Sequence, residues 1–166
     1  SGSDGGVLTN LKEQLTDAKA HAQAAINAST LADIQSNTQK AIEAIDVAVQ
    51  HAADSEHASF ASSEAPDDTV ISKHAGLAEA SGGNAGTWAG QARDAAVLSL
   101  AQTTAFNARL QLNPVIGYLT SALNGVDADA SGTIGSGGAE GGADQAYTEA
   151  QLMATYTLSE GALAPI

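Results

Sequence analysis

The chain has 166 residues, enough for one domain with a core of its own and too few for two comfortable ones. Nineteen acids stand against six bases, for a formal charge of -13, which argues against nucleic acid or an anionic membrane as a partner. There is no cysteine, so disulfides, thiolate catalysis and iron–sulfur clusters are excluded for these residues.

Apolar residues make up 43% of the chain, but alanine dominates them and aromatics are only 4%. A core of small aliphatic side chains suits closely approaching helices better than a sandwich of strands. The expected class is all-α: an antiparallel four-helix-bundle-like domain over 7–166, with an additional short helix and a glycine-rich loop before the last helix.

The opening "SGSDGG" is small and polar, and 1–6 reads as a flexible N-terminal tether. It resembles the spacer that follows the lipidated cysteine of bacterial lipoproteins, although no cysteine is present here. That resemblance implies an exported protein, periplasmic, cell-surface or secreted, with a lipid tether. No run approaches the roughly 18–20 apolar residues of a membrane span, so no transmembrane segment is expected.

The first helix is expected from Val7 to Asn27. Leu8, Leu11, Leu15, Ala18, Ala22 and Ala25 recur at steps of three and four, which marks one buried stripe. "NAST" then interrupts, with Ser29 or Thr30 available as a cap. The second helix, Leu31 to Asp54, steps through Leu31, Ile34, Thr38, Ala41, Ile45, Ala48 and Ala52. So short a connection makes the pair an antiparallel hairpin.

From Ser55 the periodicity weakens. "SSEAPDD" reads as a loop, Pro66 as the start of a short helix ending near Ala80, and "SGGNAG" (81–86) as a glycine-rich break. A third strong helix is expected from Trp88 through "ARDAAVLSLAQTTAFNARLQL". Pro114 either ends it, with "PVIGYLTSAL" as a fourth helix, or kinks one long helix. Asn124 and Gly125 look like a helix C-terminus. The last helix is expected from Ala143 to Ser159, carrying Leu152, Met153, Tyr156 and Leu158, with "EGALAPI" as a docked tail.

Between Gly125 and Gly142 lies "GVDADASGTIGSGGAEGG". Asp127, Asp129 and Ser131 alternate, followed by Gly132, Thr133 and Ile134. The eight-residue span from Asp127 to Ile134 resembles the first two-thirds of an EF-hand calcium loop. The resemblance implies that Asp127, Asp129 and Ser131 supply side-chain oxygens and that Thr133 supplies its carbonyl. Gly132 would then allow the turn, and Ile134 would anchor the loop on the core. It breaks off at the twelfth position, where Gly138 replaces the bidentate glutamate. Glu140, two residues late, and Asp144, at the start of the last helix, are the acids able to return across the glycines. The candidate ligands for Ca2+ are therefore Asp127, Asp129, Ser131, Thr133, Glu140 and Asp144.

Other chemistry is poorly represented. His21, His51, His57 and His74 have no metal-binding spacing, and there is no H-E-x-x-H, P-loop or G-x-S-x-G. Met153 is the lone methionine and an axial haem ligand only if a histidine faces it. No residue nominates itself as catalytic. The expected function is a non-catalytic exported bundle acting by binding or assembly, through a basic protein partner or a larger complex. Two rivals are a metal- or cofactor-carrying bundle and an accessory subunit of an extracellular or membrane-associated assembly.

Overall fold

A computed structural model describes residues 3–57 and 69–161, with the side chains of 6–55 and 70–155. The expected loop at "SSEAPDD", its Pro66 and the tail beyond Gly161 lie outside the described residues. The chain is all-helical: α1 (Ser3–Asn27), α2 (Leu31–His57), α3 (Thr69–Leu100), α4 (Ala105–Asn124) and α5 (Ala143–Gly161). Among the described residues there is no strand, and none of these helices is long and apolar enough to cross a membrane.

The hairpin of α1 and α2 follows from the stripes that define it. Leu8, Leu11, Leu15, Ala18, Ala22 and Ala25 are all fully buried, as are Ile34, Thr38, Ala41, Ile45 and Ala48. Thr38 is tolerated there because its hydroxyl donates to the Ile34 carbonyl at 2.7 Å. Thr30 caps α2: its Oγ1 accepts the Asp33 N–H at 3.1 Å and donates to the Asp33 carboxylate at 2.7 Å. Helix α1 begins at Ser3, within the segment read as a tether.

Three expectations for the middle of the chain are overturned. The short helix ending near Ala80 and the break at 81–86 are both absorbed into α3, which runs 32 residues without interruption. The glycines there meet a packing need. A Cβ on Gly86 would lie 2.9 Å from the Ala52 Cβ of α2, so the residue lets two helices approach closely. Nor does a helix run from Trp88 through Leu112. It stops at Leu100, and Thr104 restarts the chain as the N-cap of α4, accepting the Asn107 N–H at 3.2 Å. Gln35 of α2 secures the junction by donating to the carbonyls of Leu100 and Gln102.

Pro114 neither ends nor begins a helix; it sits inside α4. Proline cannot donate to the carbonyl four residues back. Here both Pro114 and Leu110 face solvent, so the missing bond is not a buried defect. The opposite face of α4 buries Ala108, Leu112, Val115, Leu119 and Ala122.

Cross-links along α3 define the architecture. Ser99 bonds to Ala108 on α4, Asn84 to Gly138 and Gly141 in the loop, and His74 to Glu149 on α5. Positions descend on α3 as they ascend on its partner, so α4 and α5 both run antiparallel to α3. Helix α1 agrees, since Arg109 reaches Ala28 at its end while Asp144 pairs with Lys12 nearer its start. The molecule is an up-down bundle whose fourth rod is split in two. Helices α4 and α5 share that rod end to end, and the glycine-rich loop leaves the bundle where they meet.

Candidate metal centre

The loop from Gly125 to Gly142 is closed by a narrow neck. Gly125 ends α4 with a φ of 78°, and its N–H reaches the Ser121 carbonyl. A Cβ there would lie 2.3 Å from the Glu140 carbonyl, and one on Gly142 would lie 2.6 Å from the Gly125 nitrogen. Two glycine backbones therefore pass where no side chain fits. Val126 donates to the Glu140 carbonyl at 2.9 Å and seals the neck. On the far side Gln145 accepts the Gly142 N–H at 2.9 Å, capping the start of α5.

Helix α3 supplies the platform beneath the loop. Buried Ser81 accepts the Gly137 N–H at 2.7 Å, and Asn84 donates to the carbonyls of Gly138 and Gly141 at 2.9 and 3.2 Å. Leu77 packs under Gly137, and Ser81 under Gly141. Sequence reasoning missed this role for Ser81 and Asn84. They stand inside "SGGNAG", whose composition reads locally as a break. The available signal was two polar side chains with hydrogen-bonding capacity flanking glycines, opposite a loop rich in free backbone groups.

Inside the loop the carboxylates organise the backbone. Asp127 accepts the N–H groups of Ser131 and Gly132, each at 2.9 Å, and Asp129 accepts the Ser131 N–H at 3.0 Å. Glu140 returns across the glycines. Its Oε1 accepts from Ala128 and Asp129 at 3.2 Å, and its Oε2 accepts from Gly135 at 2.7 Å. One ligand oxygen each from Asp127, Asp129 and Glu140 lies within 4.8 Å of the others, close enough for the three to share a metal ion. Among the described residues this is the only such group of three or more, and His21, His51 and His74 belong to none.

The remaining sequence candidates are placed differently. Ser131 donates its hydroxyl to the Thr133 carbonyl at 3.1 Å, so both lie beside the acids and are tied to each other. Asp144 is not brought into the cluster. Its carboxylate pairs with Lys12 of α1 at 2.8 Å, and the same ammonium lies 4.7 Å from the centre of the Tyr147 ring. Ile134 does not anchor in the core. It remains 39% exposed and lies over the neck, with its Cγ2 2.7 Å from where a Gly125 Cβ would be.

The electrostatics follow from this crowding. Three carboxylates repel one another, and the N–H donors offset part of that repulsion. Asp129 titrates below the ordinary aspartate range, chiefly because of the Ser131 side chain beside it and then because the Ser131 main-chain N–H donates to it. Every ligand available is oxygen, the set preferred by hard cations.

No protein-family model matches the chain, and neither a curated protein nor a solved structure matches it. Function is therefore read from the chemistry of the loop and the faces of the bundle.

Proposed function

We propose that this is a non-catalytic, exported helical bundle that acts by binding or assembly and carries a structural calcium site in the loop between α4 and α5. The observation that supports it is the return of Glu140 to Asp127 and Asp129, in place of the missing twelfth-position acid. Three carboxylates can offer up to six oxygens, and water completes the six to eight that calcium takes. Calcium suits such a site better than magnesium, which demands near-ideal octahedral geometry and keeps its water. A surface loop of this kind binds weakly, in the range of about 10⁻⁴–10⁻³ M typical of extracellular modules. Such an affinity would serve an exported protein, because calcium is abundant outside the cell.

Bound calcium would neutralise the clustered acids and tighten the junction of the split rod. Ligand binding to the folded state stabilises by mass action, by about 1.4 kcal/mol at roughly tenfold excess over Kd. The test is thermal unfolding of chelator-stripped protein with increasing calcium. The melting temperature should rise with millimolar calcium, and Asp127→Ala combined with Asp129→Ala should abolish the rise. A melting curve indifferent to calcium would remove the proposal.

A further inference from the structure

Between Asp94 and Asp127 the chain contains no acid, and its only charge is Arg109. This is unusual ground in a chain with nineteen acids, and it includes all of α4. Arg109 is turned inward, bonded to the Ala28 carbonyl at 2.5 Å. On the outward face, Phe106, Leu110 and Tyr118 are 72%, 54% and 37% exposed, with Pro114 also exposed between them. These four occur at i, i+4, i+8 and i+12, forming a single row about 18 Å long on one side of the helix. Leu98, 56% exposed in the last turn of α3, lies at the Phe106 end.

We propose that the α4 row is a self-association surface, on which a second copy of this chain packs its own α4 antiparallel about a two-fold axis. Charge selects this occupant. A strongly basic partner would find no acid to pair with here, and would dock on the acid-bearing helices instead. Two copies of a -13 chain repel at most faces, whereas this face buries no carboxylate when it meets itself.

The spacing is self-complementary. Antiparallel pairing centred on Leu112 sets Phe106 of one copy against Tyr118 of the other, and Leu110 against Pro114. Each contact then occurs twice, as an isologous interface requires. Rows of i±4 side chains on two helices interdigitate in the commonest class of helix packing. Gly117, next to Tyr118, has open space where a Cβ would stand, leaving room for an incoming ring. One helical row covers roughly half of the ~1,600 Å² of a standard interface, so the dimer is weak, with a Kd on the order of 0.1 mM.

This surface stands independently of the calcium loop, and its test needs no metal. Sedimentation equilibrium of the full chain from about 10 µM to about 1 mM should show the mass rising toward a dimer. Association should strengthen at least threefold as salt is raised to about 0.5 M, because screening relieves the repulsion between acidic copies. Leu110→Asp and, separately, Phe106→Asp should each hold the protein monomeric with an unchanged helical spectrum. Val47→Asp, at an exposed apolar position on α2, should associate like the parent. A monomer at every concentration and salt would overturn the proposal, as would a dimer that both α4 variants retain. A chain that stays monomeric but binds uncharged phospholipid vesicles through Phe106 and Leu110 would also overturn it, identifying a lipid surface as the occupant.

Discussion

Glu140 and Asp144 are four residues apart, equally acidic in composition, and differently employed. Glu140 gathers three backbone N–H groups and joins Asp127 and Asp129, whereas Asp144 faces Lys12 across the bundle. Glu140→Gln keeps an acceptor oxygen for those N–H groups but removes one charge from the cluster. It should weaken calcium binding by about tenfold or more, since hard-cation affinity follows the ligand charge count. Asp144→Asn should leave calcium binding unchanged and alter stability by less than about 1 kcal/mol, the usual scale of a surface pair. Calorimetric titration of the two variants separates the roles, and equal losses would contradict the assignment. Acidification adds a second check. Asp129 is held below the ordinary range, so its contribution is complete above the unfolded value and lost as pH falls through the lowered one. The calcium-induced rise in melting temperature should therefore hold from neutral pH down to about 4 and decline only at lower pH, as the lowered value is reached.

At the scale of elements, glycines with the same local propensity have opposite roles. Gly76 and Gly90 have open space where a Cβ would stand, so alanine at either should stabilise the protein by roughly 0.5–1 kcal/mol. A Cβ on Gly86 would lie 2.9 Å from the Ala52 Cβ, and one on Gly141 would collide with the Ser81 hydroxyl and lie 2.7 Å from the Gly137 nitrogen. Alanine at Gly86 should destabilise by about 1–3 kcal/mol, the cost of overpacking. Alanine at Gly141 should cost at least as much, because a backbone nitrogen cannot swing aside. Denaturant unfolding of the four variants checks both signs. The same contrast shows where the sequence was readable. In α1 and α2 the three-four stepping of Leu8 to Ala25 and Ile34 to Ala52 reports burial directly, because one face of each helix is apolar and the other polar. In α3 the reason for Gly86 is Ala52, 34 positions away, and that proximity leaves no local trace. Pro114 leaves a break and a continuous helix both open for the converse reason, since solvent excuses a defect that a buried helix would not tolerate. The loop was half legible. Asp127 to Gly132 show themselves by spacing, but the return of Glu140 depends on the neck at Gly125 and Gly142 and on the platform of Ser81 and Asn84.

Over the whole molecule, splitting the fourth rod distributes stability unevenly. Helix α4 buries Leu112, Val115 and Leu119 outright, whereas among the described side chains of α5 only Ala143 and Ala146 are fully buried, with Met153 close behind. Alanine contributes little apolar area, so α5 depends more on polar anchors. Its principal anchor is Glu149, which meets His74 of α3 at 2.5 Å with only 9% of its side chain exposed. Removing His74 leaves the Glu149 carboxylate buried without that partner. His74→Ala should therefore destabilise the protein by about 2–4 kcal/mol, and Glu149→Gln should cost less because it removes the charge and keeps an acceptor. His74→Leu combined with Glu149→Leu should recover most of the loss, since apolar replacement of both partners is often neutral or better. Hydrogen exchange localises the effect. In His74→Ala the amides of α5 should lose protection first, while those of the α1–α2 hairpin keep theirs, because the pair fastens α5 to α3 and takes no part in the hairpin. Uniform loss across all five helices would mean that α5 does not open separately, and would place the pair at the centre of the bundle's cooperativity rather than at its edge.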